Sequence, residues 1–168
     1  MTTTPISTRL TLPVLLVLAS LLGACGARYA IDTPDGMVTL EEPSWSRYDE
    51  RATTPHGVVL AVRTIRQGER REVPYGDLAF WAEATRLRMR TTAGYALLDE
   101  SEVSSADGTP GVHMSFGRDQ QGQPYRYDVV LFVTPRVIHV VEIGGEAERC
   151  DEIEDELTRA LASYEVHR

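Results

Sequence analysis

The run Val129-Val130-Leu131-Phe132-Val133 constrains this chain more than any other segment. It lies in a stretch, Tyr125 to Thr134, that reads as a β-strand entered from a Gln121-Gly122 turn. Successive side chains of a strand point to opposite faces, so this run is apolar on both. Such a strand sits in the centre of a sheet and needs both faces covered.

The chain supplies covers of two kinds. Cys150, Ile153, Leu157, Ala160, Leu161 and Tyr164 fall on one helical stripe, with Glu148, Asp151, Glu152, Asp155, Glu156 and Arg159 elsewhere. This spacing predicts a terminal amphipathic helix laid on the sheet, with Cys150 as a packed core thiol and Asp155–Arg159 as a surface pair. A second helix is predicted over 74–92, begun by Pro74 and Asp77 and stopped at Gly94. Leu78, Trp81, Ala82, Thr85 and Met89 share one face of it. Phe80 and Leu87 lie about 160–200° away at 100° per residue. Either the helix is buried on a wide face, which is the preferred reading, or Phe80 and Leu87 form a surface for a partner.

The remaining patterned segments read as strands. They are Met37 to Leu40 after a Pro34-Asp35-Gly36 turn, Trp45 to Thr53, Val58 to Ile65, Tyr95 to Ser104, Gly111 to Gly117, and Val137 to Ile143 ended by Gly144-Gly145. Asp107-Gly108 is a hairpin signal between two of them. Strands, helix, a run of antiparallel strands and a helix give an α+β fold, a mostly antiparallel sheet covered by two helices.

The first residues of the chain follow a different logic. Arg9 precedes an apolar run, Leu10 to Ala24, of 15 residues. A membrane-spanning helix needs about 20, so the order of charged, apolar and small residues reads as a secretory signal peptide. Leu22-Gly23-Ala24-Cys25 resembles the lipobox of bacterial lipoproteins. That resemblance implies lipid on the Cys25 thiol and cleavage before it. The expected division is a signal peptide at 1–24, a lipidated cysteine and short tether at 25–35, and a single domain at 36–168. The expected place is the periplasmic side of the outer or inner membrane.

The leader contains Arg9 and none of the 25 acidic residues, so the mature domain is strongly acidic. Acidity argues against nucleic acid and against charge-driven docking on anionic lipid. With Cys25 taken by lipid, Cys150 stands alone, which excludes a disulfide framework and a multi-cysteine zinc site.

The order of elements also resembles the PsbP-like fold shared by DcrB-type bacterial lipoproteins, an α/β/α sandwich. The residues that carry the likeness are Pro34-Asp35-Gly36-Met37, the strand from Gly57 to Ile65, and Asp77-Leu78-Ala79-Phe80-Trp81. With them go Asp107-Gly108-Thr109-Pro110-Gly111, the hairpin from Tyr125 to Val141, and the final helix. Met37 departs from the pattern, standing where a tryptophan is common. The resemblance implies an accessory or assembly role at membranes, without catalysis or cofactor, and a protein partner that it does not name.

Candidate chemistry is sparse. His113, His139 and Glu142 are the best set for a strand-borne hydrolase, ligand or metal site, but residues 139 and 142 fall on opposite faces of a regular strand. Ser115, His139 and Asp128 make a triad on paper, without a nucleophile elbow. Gly144-Gly145 leads toward a helix, but Glu146 and Glu148 would repel phosphate there.

Overall fold

The structure, a computed structural model, describes residues 28–167. In chain order the elements are β1 (Tyr29–Ala30), β2 (Val38–Leu40), β3 (Glu50–Thr53), β4 (Val59–Arg66), α1 (Leu78–Thr91), β5 (Ala96–Ser104), β6 (Pro110–Gln120), β7 (Gln123–Val133), β8 (Val137–Glu146), α2 (Ala147–Asp151), α3 (Glu154–Ser163) and β9 (Glu165–Val166). Seven strands form one antiparallel sheet in the order β2-β3-β4-β8-β7-β6-β5. The doubly apolar strand β7 lies inside it, between β6 and β8, as its composition requires.

Alternation along the central strands divides the core in two. Val130 and Phe132 of β7, with Val141 and Ile143 of β8, pack against Cys150, Leu157, Ala160 and Tyr164 of the C-terminal segment. Val129 and Leu131, with Ile138 and Val140, pack on the other face beneath Ala82 of α1. The result is three layers, α1 over one face of the sheet and α2–α3 over the other.

Local chemistry sets the boundaries. Asp77 caps α1, its Oδ1 accepting from the Phe80 N–H at 2.8 Å. The helix therefore starts after Pro74, and Pro74 to Gly76 form its approach. Gln67, buried at the end of β4, pins that approach. Its Oε1 accepts from the Gly76 N–H and the Trp81 indole, and its Nε2 donates to the Thr134 carbonyl. Gln121 and Gly122 both take left-handed φ, 60° and 84°, giving the two-residue turn between β6 and β7.

Several sequence expectations need correction. Trp45 lies outside β3, 85% exposed, and the strand occupies only Glu50–Thr53. Gly144 and Gly145 do not end β8, which runs through them to Glu146. A Cβ on Gly144 would meet the Tyr127 ring at 2.9 Å, and one on Gly145 would meet Val58 at 3.1 Å. These glycines allow close approach within a continuing strand. The terminal helix is two helices, broken at Glu152 and Ile153, so three helices cover the sheet. Arg159 pairs with Glu156, at 3.2 Å, rather than with Asp155.

The fold also includes residues before 36. Tyr29 and Ala30 pair with Val166 and Glu165, and the His167 N–H donates to the Arg28 carbonyl at 2.8 Å. The Tyr29 ring stacks on Tyr164 with centroids 5.6 Å apart, and Tyr164 stacks on Phe132 at 5.2 Å. Residues expected to be tether are thus part of the fold. Cys25 and the expected signal peptide lie outside the described residues.

Candidate functional site

The histidines do not meet Glu142. His139 is 1% exposed on the α3 side, its Nδ1 2.9 Å from the Tyr164 hydroxyl. Burial first, and then the charge of Arg28, push its pKa down to about 4, so it is neutral at physiological pH. His113 shares that face but aligns with Val130, whereas His139 aligns with Phe132. Strand β7 lies between them, which separates the two by about 9.6 Å across the sheet. Glu142 points to the α1 face, where its Oε1 accepts from Arg63 Nη2 at 3.1 Å. Strand parity therefore decides as the sequence suggested. Among the described residues no group of three or more His, Cys, Asp or Glu is placed to hold a metal.

The paper triad separates as well. Asp128 sits opposite Ser115, but Phe132, the partner of His139, is four residues further along β7, about 13 Å away. Asp128 instead belongs to a structural cluster. Arg126 Nε donates to it at 2.7 Å, while Arg126 Nη1 reaches Asp151 at 3.1 Å and Nη2 reaches Glu154 at 2.5 Å. One guanidinium thereby fastens the end of α2 and the start of α3 to the sheet. Burial pushes Asp128 up, but its contacts with His113 and Ser115 and the Arg126 charge outweigh that and hold it below the usual carboxylate range. His113 Nε2 lies 3.4 Å from Asp128 Oδ1 without a well-formed hydrogen bond.

The α1 face is built differently. A cleft of about 730 Å³ opens between α1 and the sheet, within the range of small-molecule sites. Ile65, Met89, Val129, Leu131, Ile138 and Val140 give it an apolar floor, and Arg28, Arg47, Arg63, Arg66 and Arg88 line it. Arg63 is anchored to the buried Glu142, yet its Nε is buried without a partner. Burial and Glu142 together raise the pKa values of the Tyr48 and Tyr127 hydroxyls, keeping both protonated as donors toward that carboxylate. Sequence reasoning missed this cleft. Its arginines come from four separated segments, with only Arg63 and Arg66 sharing one, and no spacing announces them.

On the outside of α1, Phe80 is 51% and Leu87 58% exposed, while Ala82 is buried. Wide burial of the helix is thus incorrect: only the Leu78–Met89 stripe meets the sheet. Phe80 folds back edge-on against Trp81, centroids 4.9 Å apart.

By sequence, no family model matches this chain, and no curated protein does. By structure, it is similar to LpqN of Mycobacterium tuberculosis, a protein involved in cell envelope biogenesis, with a TM-score of 0.65 and 11% identity over 83% of each chain. It is also similar to cyanobacterial PsbP from Synechocystis, with a TM-score of 0.56 and 11% identity over 83% of this chain and 87% of that one. The chain has the PsbP-like fold. At such identity the likeness is one of fold, and function has to be argued from the site.

Proposed function

We propose that this chain is a lipoprotein held at the bacterial cell envelope by lipid on Cys25, and that it acts there by binding a protein partner rather than by catalysis. The observation that carries the binding role is the outward stripe of α1, where Phe80 and Leu87 stay exposed although the opposite stripe is packed. Large apolar side chains clustered on a rigid element are what a partner surface needs. The fold shared with an envelope-biogenesis protein supports the location. The Leu22-Gly23-Ala24-Cys25 motif supports the anchor. Against a hydrolase or metal site, the three residues best suited to one are divided between the two faces of the sheet.

The test has two parts. Cys25→Ser should abolish incorporation of radioactive palmitate and release the protein from membranes; uptake of label by this variant would sink the anchor. A photo-crosslinking amino acid at position 87 should capture a protein in intact cells that the same residue at position 159 does not, and Phe80→Glu should abolish the capture. Equal capture from both positions would sink the α1 surface.

A further inference from the structure

The α1 cleft inverts the charge of the protein that surrounds it. The mature domain is acidic, yet five arginines line this one concavity against three carboxylates, Asp49, Glu72 and Glu142. Two of those carboxylates are engaged: Asp49 accepts from the Thr64 N–H and hydroxyl, and Glu142 accepts from Arg63. Arg28 donates to the neutral Thr64 hydroxyl. Arg47, Arg66 and Arg88 form no ion pair with the described residues. Cationic groups set around an apolar floor match one chemistry, an anion carrying a hydrocarbon tail. Guanidinium forks suit phosphate oxygens in particular.

The N-terminal ribbon says where such a molecule comes from. Arg28 lines the cleft, and it follows the lipid-bearing position by three residues. Consecutive Cα atoms are 3.8 Å apart, so Cys25 and Arg28 are separated by at most about 11 Å. The headgroup layer of a bilayer is roughly 5–7 Å thick on each side. A lipid chain rooted at Cys25 therefore holds the Arg28 end of the cleft within or just above the headgroups. This placement rests on the anchor reading; the composition of the cleft does not.

We propose that the α1 cleft binds the phosphodiester headgroup of an anionic phospholipid from the membrane that carries the protein, with phosphate on the arginines and the upper part of an acyl chain against the partly exposed Ile65 and Met89. The domain as a whole is repelled by anionic lipid, so this is a site for single molecules and not a basic surface.

The experiment uses the full chain, purified with its lipid and placed in phosphatidylcholine vesicles containing phosphatidylglycerol with a diazirine high on one acyl chain. Irradiation should label the segments around Ile65 and Met89. Arg47→Gln with Arg88→Gln, both exposed and outside the core, should reduce that label by more than about tenfold, each charge near anionic lipid acting at the level of about fivefold. Label spread over other surfaces, unchanged label in the double variant, or equal label from a diazirine phosphatidylcholine would overturn the proposal. Millimolar inorganic phosphate should compete poorly, and complete competition by it would mean a free-phosphate site and overturn the lipid reading. The intact mass of the chain reports lipid on Cys25 separately. Should that lipid be missing, binding of soluble dihexanoyl phosphatidylglycerol, weakened by the same substitutions, sustains the cleft while the anchor fails; no binding overturns the cleft as well.

Discussion

The two faces of the sheet use the same strands to opposite ends. On the α3 side, Val130, Phe132, Val141 and Ile143 meet a closed cover, and a ladder of three aromatic rings fills the space between the termini. On the α1 side, Val129, Leu131, Ile138 and Val140 are buried as deeply, but the cleft beside them leaves Ile65 and Met89 partly exposed. The difference lies in the covers. The C-terminal cover crosses the sheet in two buried pieces fixed by Arg126, whereas α1 is pinned at its start through Gln67 and the Trp81 indole and midway only by the exposed pair of Arg86 with Glu100 of β5. One face is specialised for stability and the other for access, although a single strand such as β7 contributes alternate residues to both.

Truncation should show this contrast most strongly. Tyr164→Ala removes a ring that is 0% exposed and stacked on both sides, at an expected cost of about 4 kcal/mol in urea unfolding. Met89→Ala, on the open face, should cost less than about 2 kcal/mol because water can enter the space it vacates. Equal costs would remove the distinction.

The closed face should also be the acid-sensitive one. His139 titrates at about 4 in the fold and near 6.5 when unfolded. As pH falls below about 6.5 the unfolded chain binds a proton that the native state refuses, so stability falls from there to about 4. The loss should be on the order of 2 kcal/mol, and His139→Gln should flatten it. A wild-type and variant that melt in parallel over this range would show His139 to be less enclosed than described.

Cys150→Ala should cost about 1 kcal/mol. Burial raises the thiol pKa to about 11, so reaction with a bulky disulfide reagent should wait on unfolding. Fast reaction in the native protein would mean that the α2 cover opens. The smallest effect belongs to the outer stripe of α1: Phe80→Glu and Leu87→Glu should each change stability by no more than about 0.5 kcal/mol in thermal melts. A large loss would return these residues to the core.

Where local chemistry decides a structure, the sequence was legible. The doubly apolar run located the centre of the sheet, and Asp107-Gly108 and Gln121-Gly122 located two turns, with Gly108 and Gly122 at left-handed φ. The apolar stripe from Cys150 to Tyr164 was read correctly as buried, but it hid the break at Glu152 and Ile153. A stripe records which residues face the core and not whether the backbone between them is continuous. Gly144-Gly145 misled for the converse reason, since a glycine that stops a strand and one that admits a neighbouring ring look alike. The β1–β9 ribbon and the arginine cleft were invisible because each joins residues far apart in the chain, with no period or spacing to mark them.

The ribbon has a mechanical consequence. A pull on the chain ahead of Arg28 loads first the His167–Arg28 hydrogen bond and the two pairs Tyr29–Val166 and Ala30–Glu165. These pairs are antiparallel and few, and they lie ahead of every pairing of the main sheet. Opening the Tyr29 pair also unstacks its ring from Tyr164, and behind the ribbon the load meets the Asp32–Ser163 hydrogen bond and then the long pairings of β4, β7 and β8. The weakest link comes first, and its failure frees a few residues while the sheet stays whole. The ribbon is a fuse, one that lets the domain yield to tension on its leading segment before the sheet unfolds.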